Sequence, residues 1–470
     1  MVRKKVLVLF TGGTIGMLHE DKNDPSSPRV PATWEEIRAF SPGFNNLSFD
    51  VEIEQMFQID SSDMNHVHWV ALAEKIGEKY GEYDGFVVLQ GTDTMAYTAS
   101  ALSFLLKNLS KPVIFTGSQV PLANARSDAA QNLVTALMVA AADGIPVVPE
   151  VCILFGRQLL RGNRARKFSS KGFEGFASPN FPPLAEIGDQ IEVNTKLIRK
   201  PSGRRFIVRK SLKTNVLPFS IFPGISPDIL KSVFNIENLD GVILQTFGAG
   251  NAPTDQTIID EIANAVRDKG IAVVNITQCF EGMVEMGLYD ASVRLAQAGV
   301  ITGVDMTPEA ALVKMMYLLG RGFDMDTVKG KMQIDLRGEQ SRNAFHLIYS
   351  ASGPKAVATL SQRIPHGLNR DNILKVNIRF NKIAFENMDE EKSPELAIFM
   401  DYPEADHTTC TDSMHCLGVI KRSKGFAIEC TQKVKQLMDP IDPIRLTIVS
   451  KNGYASWEGI VFSVFTDVGD

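Results

Sequence analysis

Several features that would assign a sequence to a class at once are scarce or missing in this 470-residue chain. Its five cysteines form an odd, sparse set, which is typical of a reducing compartment rather than of a disulfide-stabilised secreted protein. No apolar run approaches the roughly 20 residues needed to cross a bilayer. The basic start, Met1-Val-Arg-Lys-Lys5, precedes an apolar run too short for a secretory signal. These absences predict a cytoplasmic protein with no membrane partner.

The chain also lacks a large excess of either positive or negative charge. The formal net charge is only -5, and no run of lysine and arginine is long enough to predict nucleic-acid binding. We find no internal repeat and no low-complexity tract. Because one hydrophobic core rarely serves a chain of this length, we expect two or three domains.

What the sequence does contain is an apolar run at residues 6–10 that leads directly into Thr11-Gly-Gly-Thr14. The run predicts a fully buried strand, and the two glycines allow the backbone to turn sharply after it. Residues 85–90 repeat this arrangement before Gly91-Thr-Asp-Thr94. Ligands bind at the carboxyl edge of an open α/β sheet. Two hydroxyl-bearing turns at that edge therefore predict a site that attacks its ligand with an alcohol oxygen.

The rest of the pattern alternates between strand and helix. We predict strands at 51–58, 112–116, 151–155, 241–246 and 272–277, and helices at 93–107, 127–142, 256–268 and 307–319. A further helix is predicted to start near Met64, capped by the polar turn Asp60-Ser-Ser-Asp63. Short β-rich runs follow at 373–380, 395–400, 425–429, 445–449 and 459–465.

This alternation predicts an α/β fold with right-handed crossovers. We expect a larger N-terminal domain with a mostly parallel sheet at 1–195 and a smaller α/β C-terminal domain at 221–368. Between them, residues 196–220 are interpreted as a linker with a hairpin around Pro201-Ser-Gly203. A β-rich extension without recognisable chemistry of its own follows at 369–470.

Four blocks, read together, carry a family resemblance: Thr11-Gly-Gly-Thr-Ile-Gly16, Gln90-Gly-Thr-Asp-Thr-Met95, Thr116-Gly-Ser-Gln-Val-Pro121 and Gly248-Ala-Gly-Asn251. Over about residues 5 to 360 the chain resembles the L-asparaginases of the bacterial type, in particular their cytosolic type I branch. The resemblance implies hydrolysis of the side-chain amide of L-asparagine to L-aspartate and ammonia through a threonine nucleophile and an acyl-enzyme. It implies no metal or organic cofactor, and a homodimer or homotetramer.

The resemblance also implies the catalytic residues: Thr14 as the nucleophile, with Thr92, Asp93 and Lys167. Amide hydrolysis needs a nucleophile, a base and donors to the developing oxyanion. A carboxylate beside the lysine favours its ammonium form and burial favours the neutral amine, so the sequence leaves the role of Lys167 as a base open. The simpler alternatives are that Asp93 only caps the helix after it and that Lys167 belongs to a solvated group of charges.

Four further residues are expected to bind substrate. Ser61 matches the family's carboxylate-binding serine, with Ser62 beside it, and Asn251 is expected to reach the substrate's amino end, often across a subunit interface. Capping and tight-turn roles are the alternatives for Ser61 and Asn251. No tyrosine precedes Tyr80, so the polar loop at 18–31, predicted to be mobile, cannot supply the tyrosine that many members place there. Tyr289 is the candidate instead, with a packing role as the alternative.

Other functions stay open at this stage. An amidotransferase subunit that acts with transfer-RNA partners shares the threonine turn but typically has an N-terminal extension, whereas this chain reaches the turn at Thr11. A binding or sensing protein would hold asparagine or phosphate on the turns without turnover. Allosteric members of the type I branch have an effector site near the block Asn275-Ile-Thr-Gln-Cys279. The tail residues His407, Cys410, His415 and Cys416 match no strong zinc pattern, so we predict no metal.

Overall fold

A computed structural model of the chain describes residues 3–13, 15, 17–20, 24, 27, 29–31, 36, 46–122, 124–286, 290–349, 357–362, 370–386, 395–421, 427–438 and 443–466. Two predicted site residues, Thr14 and Tyr289, lie outside this set. Most of the polar loop predicted at 18–31 also lies outside it. In the described part of the chain, no helix is both long and apolar enough to cross a membrane.

The N-terminal domain contains fourteen strands and three α-helices within the described residues. The strands are β1 Lys5–Phe10, β2 Met17–His19, β3 Arg29–Pro31, β4 Asp50–Gln55, β5 Gly85–Leu89, β6 Leu106–Lys107, β7 Val113–Thr116, β8 Val151–Phe155, β9 Gln158–Arg161, β10 Arg166–Lys167, β11 Phe176–Ala177, β12 Ala185–Ile187, β13 Ile191–Val193 and β14 Ile207–Val208. The helices are α1 His66–Lys79, α2 Met95–Leu105 and α3 Ala129–Ala141.

Eight of these strands form one sheet in the order β13-β12-β9-β8-β7-β5-β1-β4. The five strands from β4 to β8 are parallel, and the remaining three pair antiparallel at one side. The central strands β5 and β8 are buried along their whole length, because helices cover both faces of the sheet. This explains why they occur in the sequence as continuous apolar runs rather than alternating ones.

The strand order places a topological switch at β1 and β5. The chain passes from β1 to β4 on one side, returns to β5 on the other side of β1, and then continues outward through β7 and β8. In open α/β sheets the crevice at the carboxyl ends of such a strand pair binds ligands. The two predicted threonine turns follow these two strands.

The smaller domain is built on a second parallel sheet of four strands, β15 Val216–Ser220, β16 Gly241–Thr246, β17 Ala272–Thr277 and β18 Ile301–Thr302, in that order. Its helices are α4 Pro227–Phe234, α5 Gln256–Arg267, α6 Asp290–Gln297, α7 Pro308–Gly320 and α8 Met325–Met332. As predicted, α7 begins with Pro308 at its first position, and the Thr307 side chain accepts a hydrogen bond from the Ala310 backbone. Apolar side chains of α2 and α7 share one core, which joins the two domains.

The C-terminal extension is a β-sandwich. Its elements are β19 Asn343–Tyr349, β20 Val357–Gln362, β21 Ile373–Glu386, β22 Glu395–Met400, β23 Cys416–Lys421, β24 Ala427–Glu429, α9 Thr431–Leu437, β25 Ile444–Ser450 and β26 Tyr454–Thr466. They form two antiparallel four-stranded sheets, in the orders β19-β26-β21-β24 and β20-β25-β22-β23. Apolar side chains from both sheets meet in one core. The predicted fold class, with a larger and a smaller α/β domain and a β-rich extension, is confirmed.

Three details differ from the predictions. No hairpin forms around Pro201-Ser-Gly203; instead β13 pairs with β12 and β14 pairs with β6. Helix α1 is capped by the Asn65 side chain, whereas Asp60 caps a separate short 3-10 turn at 61–63. Strands β19, β20 and β23 were not predicted. Since β19 and β20 pair with β26 and β25, the sheets of the extension begin before the predicted boundary at residue 369.

Candidate active site

Three turns meet at the carboxyl edge of the large sheet. At Gly13, where φ is +90°, a Cβ atom would lie 2.4 Å from the backbone nitrogen of Gly91. At Gly91 a Cβ would lie 2.8 Å from the Oγ of Ser61. Both positions therefore need glycine, because any side chain would push the turns apart. Thr14 itself lies outside the described residues, but the turn that ends at Gly13 is in contact with the second threonine turn.

Thr92, Asp93 and Lys167 come together at the second turn. The Nζ of Lys167 donates to the Oγ1 of Thr92 at 2.7 Å and to an oxygen of Asp93 at 2.5 Å. The Lys167 side chain is 18% exposed and that of Asp93 is 65% exposed. The ammonium is therefore largely withdrawn from water, while the carboxylate faces the open side of the site. The structure brings together three of the four predicted catalytic residues.

The position of Lys167 depends on an arginine that the sequence reasoning did not single out. Arg164, three residues earlier, is almost fully buried and pairs with Asp305 of the smaller domain at 2.8 Å. Burial alone would raise the pKa of Asp305, but Arg164 and Ser341 outweigh it and hold that pKa below its usual value. This pair fixes the segment that carries Lys167 against the other domain. Because 141 positions separate the two residues, no local pattern could reveal it.

A second ion pair involves Arg166, the residue before Lys167 in strand β10. The Nε of Arg166 is 3.4 Å from a carboxylate oxygen of Glu309, at the start of α7. Burial raises the pKa of Glu309 even though Arg166 acts in the opposite direction. Burial and the Glu309 charge together raise the pKa of the half-buried Tyr97 phenol. The contact of Arg166 with Glu309, and the effect of Glu309 on Tyr97, were not predicted from the sequence.

The two adjacent serines have different surroundings. Ser61 is buried, its Oγ accepts a hydrogen bond from the backbone nitrogen of Asp93 at 3.3 Å, and its carbonyl accepts one from Thr94. Ser62 is exposed, and its hydroxyl donates to Asp60 at 2.7 Å. The backbone nitrogen and hydroxyl of Ser62 hold the pKa of Asp60 below its usual value. Ser61 therefore contacts the second threonine turn, whereas the Ser62 side chain contacts Asp60 in its own turn.

Asn251 lies elsewhere, in the turn after β16 of the smaller domain. Its backbone makes a bridge with Phe247, and the preceding Gly250 carbonyl accepts a hydrogen bond from Asn275. Within the described part of the chain, the Oδ1 of Asn251 is buried without a hydrogen-bond partner. No hydrogen bond among the described residues joins Asn251 to Thr92, Asp93 or Lys167.

Gln90 is a further residue that the sequence reasoning passed over, although it stands in a quoted block. Its buried amide donates to the hydroxyls of Thr94 and Thr98 at 3.2 and 3.0 Å. Its backbone nitrogen donates to the Thr116 carbonyl. Gln90 therefore ties the second turn to both α2 and β7, and so holds Thr92 in place.

The described residues contain no group of three or more His, Cys, Asp or Glu side chains able to hold a metal ion. In the tail, His415 contacts the Met400 carbonyl, and Cys416 contacts the Gly418 carbonyl. What the candidate site offers instead is a lysine hydrogen-bonded to a threonine and an aspartate. Such a set can move protons and bind a polar ligand with both a positive and a negative end.

Comparisons with known proteins show which families and structures this chain is similar to. The family model "Asparaginase, N-terminal" matches residues 5–199, and "Glutaminase/Asparaginase C-terminal domain" matches residues 215–332. The "L-asparaginase 1" of Escherichia coli (strain K12) is 44% identical over 342 residues, which cover 72% of this chain and 98% of that protein. The human "60 kDa lysophospholipase" is 41% identical over 361 residues, covering 72% of this chain and 62% of that protein. The crystal structure of L-asparaginase I from Vibrio cholerae is 44% identical with a TM-score of 0.66, covering 72% of this chain and 99% of that one.

Proposed function

The chain belongs to the asparaginase family, in its type I branch, and hydrolyses L-asparagine to L-aspartate and ammonia; we propose that the reaction runs through a threonine nucleophile. The nucleophile is the hydroxyl of Thr14. The observation that carries this proposal is the hydrogen bond between Lys167 and Thr92, because it lies on the turn that contacts Gly13, the residue before Thr14. Family membership agrees with the resemblance drawn from the four sequence blocks.

In the first half of the reaction, the Thr14 oxygen attacks the side-chain amide carbon of asparagine. Its proton passes to the leaving nitrogen, the carbon–nitrogen bond breaks, and ammonia departs from an aspartyl ester of Thr14. In the second half, a water molecule attacks the ester carbon, and aspartate leaves as the proton returns to Thr14. Thr92 and Lys167 form a hydrogen-bonded pair on the turn that contacts Gly13, so they relay the protons.

The substrate's charged end is held on the open side of the turns. Asp93, largely exposed, pairs with the α-ammonium, and the Ser61 hydroxyl with nearby turn amides binds the α-carboxylate. We propose that Asn251 contributes from a second copy of the chain, in a homodimer or homotetramer, as the family resemblance implies. Among the described residues of one chain, Asn251 makes no hydrogen bond to Thr92, Asp93 or Lys167. Tyr289, which lies outside the described residues, assists Thr14.

Ammonia release tests the activity and the nucleophile separately. The full chain is incubated with L-asparagine, and ammonia and aspartate are quantified, with L-glutamine and L-glutamine plus transfer-RNA partners as further arms. Absence of turnover with retained asparagine binding would support a sensor, and turnover only with those partners would support an amidotransferase. Thr14→Ala should abolish release while the circular dichroism spectrum stays unchanged. A Thr14→Ala variant that releases ammonia at the parental rate would exclude Thr14 as the nucleophile.

Two further assignments are part of the proposal. All five thiols are free, which supports the cytoplasm as the compartment. The β-sandwich is a separate unit that begins between the end of α8 and the start of β19. Strands β19 to β26 pair only with one another, in the two sheets of the extension.

A further inference from the structure

A cavity of about 190 Å³ lies at the opposite edge of the large sheet from the threonine turns. Its wall includes the residues just before β8 and after α2, near the amino ends of β7 and β8. The charged side chains that line it are four cations and one anion: Arg161, Arg199, Lys200, Arg337 and Glu150. They come from the N-terminal domain, from the linker and from the segment between α8 and the β-sandwich.

Arg161 and Arg199 are held in place by ion pairs, and each has N–H donors that these ion pairs do not use. Arg161 forms a buried pair with Glu150 through Nε and Nη2, at 2.6 and 3.1 Å. Its Nη1 makes no hydrogen bond within the described residues, and the backbone of Gly338 leaves room for it, since a Cβ there would lie 2.8 Å away. Arg199 uses Nη1 to reach Asp335 at 2.7 Å. Each guanidinium has five N–H donors, so these ion pairs do not exhaust either side chain.

Unlike Arg161 and Arg199, Arg337 has no carboxylate partner within the described residues. Its guanidinium donates to the carbonyl of the neighbouring Leu336, and within the described part of the chain it forms no ion pair. Its Nε is buried without any hydrogen-bond partner there. Burial also lowers the pKa of Arg337, as expected for a buried cation whose charge is incompletely balanced. A buried donor on a cation needs an acceptor, and a water molecule or an anion from outside the chain can supply one.

We propose that this cavity binds a small anion that carries a phosphate group. Three arginines from separate segments of the chain line it, and their ion pairs and hydrogen bonds leave donors over. A phosphate presents several oxygens in a tetrahedral arrangement and can accept from all of them, whereas a carboxylate presents two oxygens in one plane. Because the cavity lies at the amino ends of the strands, the anion does not compete with a substrate at the threonine turns.

Calorimetric titration of the full chain tests the proposal. Inorganic phosphate and glycerol 3-phosphate are the probes, which separates the free ion from a phosphate monoester, and chloride at equal ionic strength and succinate are the reference anions. We expect saturable binding of at least one phosphate probe. Arg337→Gln should weaken it at least about tenfold, the scale of a lost charge-assisted hydrogen bond. Arg204→Gln, an exposed arginine of the same linker, should leave it unchanged.

Further variants keep the test decisive. If Arg337→Gln fails to fold, as judged by circular dichroism, the exposed Lys200→Gln decides instead, with a several-fold loss expected. Lys167→Met should bind phosphate as the parent does; binding lost there and kept in Arg337→Gln would place the anion at the threonine turns and overturn the proposal. Heat signals no larger than those of chloride, or succinate binding as tight as phosphate, would also overturn it.

Discussion

The Nζ of Lys167 lies 2.7 Å from the Oγ1 of Thr92, although 75 positions separate the two residues in the chain. The same ammonium contacts Asp93, so one cation fixes two consecutive residues of the second turn. Lys167 is itself fixed because Arg164, in the same short segment, is anchored to Asp305 of the smaller domain. The geometry of the threonine turns therefore depends on contact between the two domains and not only on the sheet edge.

Thr92→Val should remove the hydroxyl that Lys167 contacts while keeping the shape of the side chain. We expect the rate of ammonia release from asparagine to fall about 10²- to 10⁴-fold, the usual contribution of a positioned proton-transfer group. Thermal stability should change little, because Thr92 is only half-buried. Steady-state kinetics and a melting curve measure the two effects.

The matched control is Thr195→Val, at an exposed threonine in the same domain. It makes the same chemical change away from the turns and should leave the kinetics as in the parent. Equal activity of the two variants would show that the hydrogen bond between Lys167 and Thr92 has no catalytic role.

Ser61 and Ser62 offer a direct comparison between two neighbours. Ser61→Ala removes the buried hydroxyl that accepts from the Asp93 backbone, and we expect KM for asparagine to rise about tenfold, in line with one lost hydrogen bond to a charged group. Ser62→Ala removes an exposed hydroxyl whose hydrogen bond among the described residues goes to Asp60, so its KM should stay close to that of the parent. Initial-rate measurements across asparagine concentrations give both values. A larger rise in KM for Ser62→Ala would reverse the assignment of the two serines.

Much of the fold was predictable because its information is local. The buried runs of β1, β5 and β8 predicted strands, and the glycine turns after β1 and β5 carried the hydroxyls of the candidate site. The two threonine turns could be assigned to one site because the ends of parallel strands share one sheet edge, whereas the roles of Thr92 and Asp93 came from family resemblance. The prediction that Lys167 joins them came from family resemblance, and no periodicity in the sequence would have supplied it.

What escaped prediction is non-local. The pair formed by Arg164 with Asp305 connects segments 141 positions apart, whose proximity depends on the complete fold. Strand β19 was missed because its partner β26 lies more than a hundred positions later, and the hairpin around 201–203 was wrongly predicted because alternating residues there pair with other strands. Side-chain alternation shows that a strand can form, but it does not identify its partner.

Lys314 and Glu339 form a fully buried ion pair that joins α7 to the segment before the β-sandwich, with an N–O distance of 2.7 Å. Glu339→Gln should destabilise the protein by about 3–5 kcal/mol, because it leaves a buried ammonium without its counter-charge. The double variant Lys314→Met with Glu339→Gln should recover most of that loss, since the ammonium of Lys314 is then removed as well. Chemical denaturation midpoints of parent, single and double variants measure this. A double variant less stable than Glu339→Gln alone would show that the pair stabilises the fold by its attraction.

Asp335 should make stability depend on pH in the direction opposite to most carboxyl groups. Burial and the neighbouring Glu339 charge raise the pKa of Asp335 to about 6 from 3.8, so the folded protein holds a proton there that the unfolded chain releases. The resulting stabilisation is complete below 3.8 and is lost as the pH rises through about 6. The stability of the parent relative to Asp335→Asn should therefore decline as the pH rises across this window, which melting temperatures at several pH values will reveal.

Asp324 provides a control of opposite sign. It caps α8, and the hydrogen bond from the Thr327 backbone lowers its pKa below 3.8, so its contribution is present above that pH and is lost as the pH falls. The stability of the parent relative to Asp324→Asn should accordingly increase with pH where the same comparison for Asp335→Asn decreases. If both comparisons change with pH in the same direction, Asp335 is ionised in the folded protein at acidic pH, and the repulsion from Glu339 does not control its proton.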